Sequence, residues 1–337
     1  MKKPNGTKFK GGIVKLKCCL LTVMIMVASG MVCSCKNNDK IFINSKNTDE
    51  YAARMQSFVE KISSYARDLN PDFIIIPQNG EELAFNNTEP ADGVKSSYVD
   101  AIDGIGIEEL FYDGPLRVDK DRLKMLQTLK SKVKKIMVSD YVKDNSKVPD
   151  ALDRSINEGF IAFPRRSDNY DYMDIPPATD IRNVNTGDIN TLADAKNYLY
   201  LISTDNFADK QTMIDAVKAT NYDIVLIDLF FEEVALTPYD IQQLKTKANG
   251  GKRLVISYIS IGSAENYRYY WQTGWKKGNP SWLKKKYEGY PDEFWVQFWH
   301  TEWQDIIFGN NDSYIKKIID AGFDGAYLDN VEAYYFL

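Results

Sequence analysis

Short apolar runs, each closing on polar residues, recur along the chain. They are Phe73 to Ile76, Ile102 to Ile107, Ile136 to Val138, Phe160 to Phe163, Tyr198 to Ile202, Ile224 to Leu229, Leu254 to Ile261 and Gly325 to Leu328. Unbroken Ile/Val/Leu runs of this length suit strands buried on both faces, as in a parallel sheet covered by helices. Helical spacing fills several of the gaps: Lys120 to Lys132, Asp209 to Ala219, Pro238 to Ala248 and Glu302 to Ala321. Thr237-Pro238 is a helix start and Ala248-Asn249-Gly250-Gly251 a helix stop. Eight strands alternating with helices predict an α/β fold, a (β/α)8 TIM barrel with long loops at its C-terminal face; an open α/β sheet is the alternative. A ninth, aromatic run, Trp295 to Trp299, is expected as a loop strand near the site mouth and not as a stave.

The order of elements is unusual. A helical pattern at about Glu50 to Asp68 precedes every strand, and Asp329 to Leu337 follow the last strand with no helix after them. An orphan helix at one end and an orphan strand at the other suit a ring opened at an unusual point, a circular permutation, with the first helix packed beside the last strand. The barrel domain is expected over residues 50–337. The polar stretch 166–197 would then join what are otherwise the last and first strands, and it is expected to be a solvated linker without function.

Residues 1–34 are expected to be a lipoprotein signal peptide. Lys2, Lys3, Lys8, Lys10, Lys15 and Lys17 precede the apolar run Cys18 to Val32, which is too short to span a bilayer comfortably. Val32-Cys33-Ser34-Cys35 is similar to a lipobox. Small Ser34 makes Cys35 the favoured acylation site and residues 35–49 a polar tether. A plain secretory signal or a single anchor helix is the alternative. These features predict an exported protein, lipid-anchored in the bacterial cell envelope at the outer membrane or cell surface, touching the membrane through that anchor only.

Cys18, Cys19, Cys33 and Cys35 are all the cysteines, so the folded part has no disulfide and no thiolate. His300 is the single histidine, which excludes multi-histidine metal sites and leaves a Ser-His-Asp triad one place for its base. No metal and no organic cofactor is implied. The leader holds six of the 42 basic residues and none of the 47 acidic ones, so the rest carries a formal charge of −11. That argues against nucleic acid as a partner. Carboxylates remain as the chemical workers.

The strand ends are rich in them. Asp329 ends Gly325 to Leu328, Glu108 and Glu109 end Gly104 to Ile107, Asp228 ends Ile224 to Ile227, and Asp140 ends Ile136 to Ser139. Glu265 follows the strand carrying Ser257 and Tyr258, and Gln78 and Asn79 follow Ile74 to Pro77. Parallel barrels place their sites at these C-terminal ends. Because side chains alternate, Asp329 facing inward brings Tyr327 and Gly325 with it, and Glu108 facing inward brings Gly104 and Gly106, which would leave room for a ligand. Glu109 is expected to face outward and Asp324 to be a turn residue. Two carboxyl groups from separate strands are what glycosidic cleavage requires. A crowd of aromatics, among them Tyr267, Tyr269, Tyr270, Trp271, Trp275, Trp282, Trp295, Trp299 and Trp303, offers ring faces for a sugar, although at least half should simply pack a loop.

Four segments together carry a resemblance: Arg253 to Arg268, Ala321 to Tyr334, Ile75 to Gly80 and Ile107 to Tyr112. They resemble glycoside hydrolase family 114 type barrels, a group that includes endo-α-1,4-polygalactosaminidases, with the two halves of the chain swapped relative to the usual order. The resemblance implies Asp329 as nucleophile or base and Glu108 as proton donor. It implies Asp228, Tyr258, Glu265 and Gln78 as pocket-lining positions and Glu332 in a place often held by aspartate. Asp140, Tyr267, Tyr327, Trp271 and Trp299 complete the expected substrate-binding set. The expected substrate is an extracellular polysaccharide, with an α-1,4-linked, galactosamine-containing polymer as a candidate. A non-catalytic surface glycan-binding lipoprotein is the rival, and an envelope assembly partner a third.

Overall fold

The computed structural model describes residues 45–337. The expected leader, Cys35 and the first ten residues of the tether lie outside them. The described chain opens with helix α1, Ser45–Leu69, five residues ahead of the expected start. Ala52, Met55, Phe58, Val59, Ile62 and Ala66 recur at three- and four-residue spacing, so they share one face, and all six are buried.

The parallel strands follow the expected runs, except that β2 and β3 continue past Glu108 and Asp140, which were expected to end them. β1 is Ile74–Pro77, β2 Gly104–Gly114, β3 Lys135–Val142, β4 Ile161–Ala162, β5 Tyr198–Leu201 and β6 Ile224–Asp228. A small antiparallel pair, β7 (Phe230–Phe231) and β8 (Val234–Ala235), precedes β9 (Leu254–Ser260). The strands β10 (Ser263–Glu265), β11 (Leu283–Tyr287) and β12 (Tyr290–Val296) come next, and β13 (Gly325–Asp329) is last. The largest sheet runs β5-β6-β9-β13-β1, parallel throughout. A second parallel sheet runs β2-β3-β4. A parallel bridge between Gln78 and Gly106 ties β1 to β2, reinforced by the Asn79 amide donating to the Gly106 carbonyl at 2.7 Å. The protein is thus α/β with parallel sheets, and all eight expected strands fall in one succession. Among the described residues no backbone ladder joins β4 to β5. Side chains meet there instead, with the Phe163 ring 5.9 Å from that of Tyr198 and 6.4 Å from that of Tyr200.

Of the aromatic run expected as a loop strand, only Trp295 and Val296 lie in a strand, at the end of β12, the middle strand of an antiparallel sheet β10-β12-β11 outside the parallel set; Gln297 to Trp299 follow it. The helices are α2 (Ser96–Ala101), α3 (Lys120–Ser131), α4 (Val148–Asn157), α5 (Lys210–Lys218), α6 (Pro238–Leu244), α7 (Thr301–Ile307) and α8 (Tyr314–Asp320). Two expected helices are corrected. The one read to Ala248 stops at Leu244, because Lys247 turns inward to a fully buried ion pair with Asp223 at 3.0 Å and a bridge joins Thr246 to Lys252. The one read through Glu302 to Ala321 is two, α7 and α8. Gly309 between them has φ +100°, a conformation that suits glycine, and Asn310 turns its side chain onto the Asp312 amide.

The stretch 166–197 is more than a solvated linker, since Tyr172, Ile189, Leu192 and Ala195 are buried. Asp223 anchors it by accepting from the Asn185 side chain and the Lys196 amide at 2.7 and 2.9 Å.

Candidate functional site

Parallel strands in one succession all finish at one rim, so their terminal side chains converge there. Asp329, at the end of β13, is partly exposed. The Tyr258 hydroxyl donates to its Oδ2 at 2.6 Å and the Asn330 amide to its Oδ1 at 2.7 Å. Burial pushes the carboxyl up to about 7, against the Tyr258 hydrogen bond, and the charge of Glu108 pushes the same way as burial.

Glu108 lies two staves away, across β1. Asn79 holds it twice, donating Nδ2 to Glu108 Oε2 at 3.2 Å and accepting the Glu108 amide at 3.0 Å. The Tyr172 hydroxyl donates to Glu108 Oε1. Beyond Glu108 the pairing of β2 with β3 slips, and Glu109 takes φ +56°. Asp140 supports this bulge by accepting the Phe111 amide at 3.0 Å. It is 2% exposed, and burial pushes its carboxyl up to about 7. Asp140 thus faces the backbone of β2. Glu109 turns to Arg165 at 2.6 Å and to the Tyr170 hydroxyl at 2.7 Å.

Beneath the two acids the interior is filled. Tyr327 and Gln78 are buried, the Tyr327 ring meets Tyr200 edge-on at 5.5 Å, and the Tyr200 hydroxyl donates to Gln78 Oε1 at 2.7 Å. The space expected above the β2 glycines is occupied. A Cβ on Gly106 would lie 1.7 Å from the Tyr327 hydroxyl oxygen, and one on Gly104 would lie 2.7 Å from the Lys135 carbonyl oxygen. Glycine at 106 lets the Tyr327 ring approach the β2 backbone.

Asp228 and Glu265 are joined by a residue that sequence reasoning did not single out. Arg268, 7% exposed, grips Asp228 through two bonds of 2.9 and 2.7 Å and Glu265 at 2.6 Å. The Tyr267 hydroxyl also donates to Glu265, while its ring stays exposed. Directly across from Glu265 in the β10-β12 ladder stands Glu293, another residue missed. Its Oε2 accepts from Ser263 at 2.8 Å, and burial, then the Glu265 charge, pushes it up to about 8. Only the strand pairing reveals it, for in sequence it is one of several acids in a polar turn.

Two aromatics of the β11-β12 hairpin were also missed. Tyr287 stacks on Trp295 at 4.1 Å, and Trp295 on Phe336 at 4.5 Å. Tyr290, 36% exposed, lies within the influence of Glu108, Glu293 and Asp329, which help burial to raise its hydroxyl. The expected platforms fare differently. Trp271 packs against Phe294 at 5.3 Å and Trp275 at 5.4 Å. Trp299 is not brought to the carboxylates but to α1, stacked on Tyr51 at 4.5 Å with the Arg54 guanidinium 5.0 Å from its ring. His300 caps α7 through Nδ1. Glu332 sits in a short 3-10 turn, Val331–Tyr335, where burial and then Glu82 push its carboxyl up to about 8. A solvent-open hollow shares Tyr267 and Arg268 with this rim and is lined further by Glu232 and Glu233. Among the described residues no group of three His, Cys, Asp or Glu side chains is arranged to hold a metal ion.

Six described carboxyls therefore stand above their ordinary range: Asp329 and Asp140 at about 7, Glu293 and Glu332 at about 8, and Asp228 and Glu82, which burial also raises. Each binds its proton more tightly folded than unfolded. The stabilisation is complete below about pH 4 and disappears as pH rises through about 7 to 8. Acids held low, such as Asp150 and Asp209, act only below that window. Urea unfolding at pH 5, 6, 7 and 8 should show stability declining with pH, and Asp140→Asn should flatten the decline. Constant or rising stability across this range would contradict the assignment.

Residues 184–335 match the model of the glycoside-hydrolase family GH114. An uncharacterized protein of Deinococcus radiodurans is 38% identical over 124 residues, 37% of this chain and 38% of that protein. One of Thermotoga maritima is 30% identical over 118 residues, covering 35% of each chain. One of Methanocaldococcus jannaschii is 37% identical over 121 residues, 36% of this chain and 34% of that one. The chain thus spans little more than a third of the length of these relatives. Asp329, Asp228, Tyr258, Glu265 and Arg268 lie inside the family match and Glu108 outside it, so over residues 184–335 the chain is similar to a glycoside-hydrolase domain.

Proposed function

We propose that the protein is a glycosidase that cuts an extracellular polysaccharide with two carboxyl groups, Asp329 as nucleophile or base and Glu108 as proton donor. The observation that carries this is the pair itself. Both acids are partly exposed at one rim, close enough for the charge of one to raise the other. The arginines around them are committed elsewhere, Arg122 to Glu81, Arg165 to Glu109, and Arg268 to Asp228 and Glu265. Two acids free of such pairing among the described residues can protonate a leaving oxygen and attack the sugar carbon or activate water. Arg268 ties Asp228 to Glu265, and the Glu265 charge helps to raise Tyr258 and Asp329. The Tyr287 and Tyr290 rings are the better sugar platform.

The ring of staves closes, on this proposal, into a barrel across β4 and β5. The family-like half, 184–335, follows a half that completes the ring, which is the permuted order. The leader sends the protein to the cell envelope and Cys35 anchors it there by lipid. An acidic rim suits an amine-bearing polymer, and α-1,4-linked galactosamine chains are the first candidate.

The test is incubation of the protein with a panel of polysaccharides, amino-sugar polymers included, with products read by mass. Shortened chains from at least one polymer are expected. Tight binding without any cleavage across the panel would replace the glycosidase with a glycan-binding protein.

A further inference from the structure

We infer that Tyr172, carried on the stretch joining β4 to β5, positions the Glu108 carboxylate, so that this connection is part of the site. Tyr172 is 5% exposed and its ring stacks on Tyr200 at 3.7 Å. Its hydroxyl stands between two partners, Glu108 Oε1 and, at 3.0 Å, the Ser139 Oγ. An ionised carboxylate only accepts, so the phenol donates to Glu108 and the serine hydroxyl in turn donates to the phenol. Its carbonyl accepts the Ile202 amide at 3.1 Å, which ties the connection to the end of β5. Tyr172 thus joins Phe163 in the gap between β4 and β5, its ring 6.4 Å from that of Phe163, and fixes one oxygen of Glu108. The other oxygen is left to Asn79 and to a proton.

The backbone is bent for this purpose. Tyr170 and Tyr172 have φ of 56° and 40°, which non-glycine residues rarely adopt. The first bend sends Tyr170 to Glu109, under the Arg165 guanidinium 3.9 Å from its ring. The second sends Tyr172 to Glu108. No motif marks Tyr172 in sequence, because it lies in a polar stretch and its partners are remote.

A donor to the ionised carboxylate favours that form, so removing it raises the proton affinity of Glu108. The other charged groups around it are Asp329 from β13, Glu332, Arg165 beyond β4, the neighbouring Glu109, and Arg122, which donates to the Glu108 carbonyl at 2.7 Å. The tyrosines that share its field are Tyr170, Tyr198, Tyr200, Tyr290 and Tyr327. All are retained in Tyr172→Phe, which also keeps the stacked ring.

The inference rests on Glu108 being the proton donor for its kinetic consequence, but it can be tested without activity. In the full chain, the Glu108 carboxyl carbon, assigned by its loss in Glu108→Gln, is titrated by NMR in wild type and Tyr172→Phe. The midpoint should rise by about one pH unit in the variant, since a hydrogen bond to a charged group is of that size. Tyr170→Phe, which touches Glu109, should leave it in place. With a cleavable polymer, Tyr172→Phe should lower kcat about tenfold with KM little changed and move the alkaline limb of kcat/KM upward. An unmoved Glu108 titration in Tyr172→Phe would overturn the inference even if the protein cleaves sugars. A moved titration in a protein that cleaves none would support the inference while the glycosidase proposal falls.

Discussion

Asp329→Asn should lower turnover by about three orders of magnitude or more while leaving the fold intact, and Glu108→Gln by about two to four, as expected for loss of a nucleophile and of a general acid. Amide replacements keep the shape of each side chain, so circular dichroism should change little. The two roles separate by leaving group. An aryl glycoside whose phenol departs without protonation should be cleaved by Glu108→Gln far better than the polymer is, whereas Asp329→Asn should fail on both. Full activity of either variant on the polymer would end the assignment. Rescue of Asp329→Asn and not Glu108→Gln by the aryl substrate would exchange the roles.

Arg268→Leu should destabilise the protein by about 3–5 kcal/mol, the usual cost of stripping the partner from a buried charge. The guanidinium serves both Asp228 and Glu265, side chains with 9% and 3% exposure, through four bonds of 2.6 to 3.1 Å. Removing it leaves two acids in an apolar setting, with Glu293 opposite Glu265 in the ladder. Those acids then hold protons, so the loss should be smallest in acid and grow toward pH 8. Urea unfolding of the variant across that range checks both size and slope. A loss below about 1 kcal/mol would mean that the three groups are held by water and not by one another. Arg268→Lys should recover little, because an ammonium cannot form the paired contacts to Asp228.

The parallel strands were legible because both their faces are covered, which leaves no polar position inside Ile224 to Ile227 or Ile74 to Ile76. Asp329 and Asp228 were legible for a related reason, as acids placed where an apolar run stops. What escaped was decided by contacts between distant segments. Glu293 acquires its meaning only when β12 pairs with β10, and Tyr172 only when its chain crosses between β4 and β5. Arg268 stood in plain view beside Tyr267, but nothing local says that it will serve Asp228 forty positions earlier. The helix expected through Glu302 to Ala321 misled because Ile306, Ile307, Ile315 and Ile318 keep helical spacing on either side of a break made by Gly309 and Asn310. Trp299 shows the limit of composition, for its ring serves α1 and not a sugar.

The meeting of Gly106 with Tyr327 also constrains how such a protein can change over time. The two are far apart in the chain yet share one small volume, with the phenol lying where any added carbon at 106 would go. A lineage can acquire alanine at 106 only after the ring at 327 has been trimmed, and losing the hydroxyl alone is too little, because ring carbons come within 2.3 and 2.6 Å of the same point. Descendants should therefore carry the large residue at one of these positions or the other, never at both, and the order of replacement is fixed.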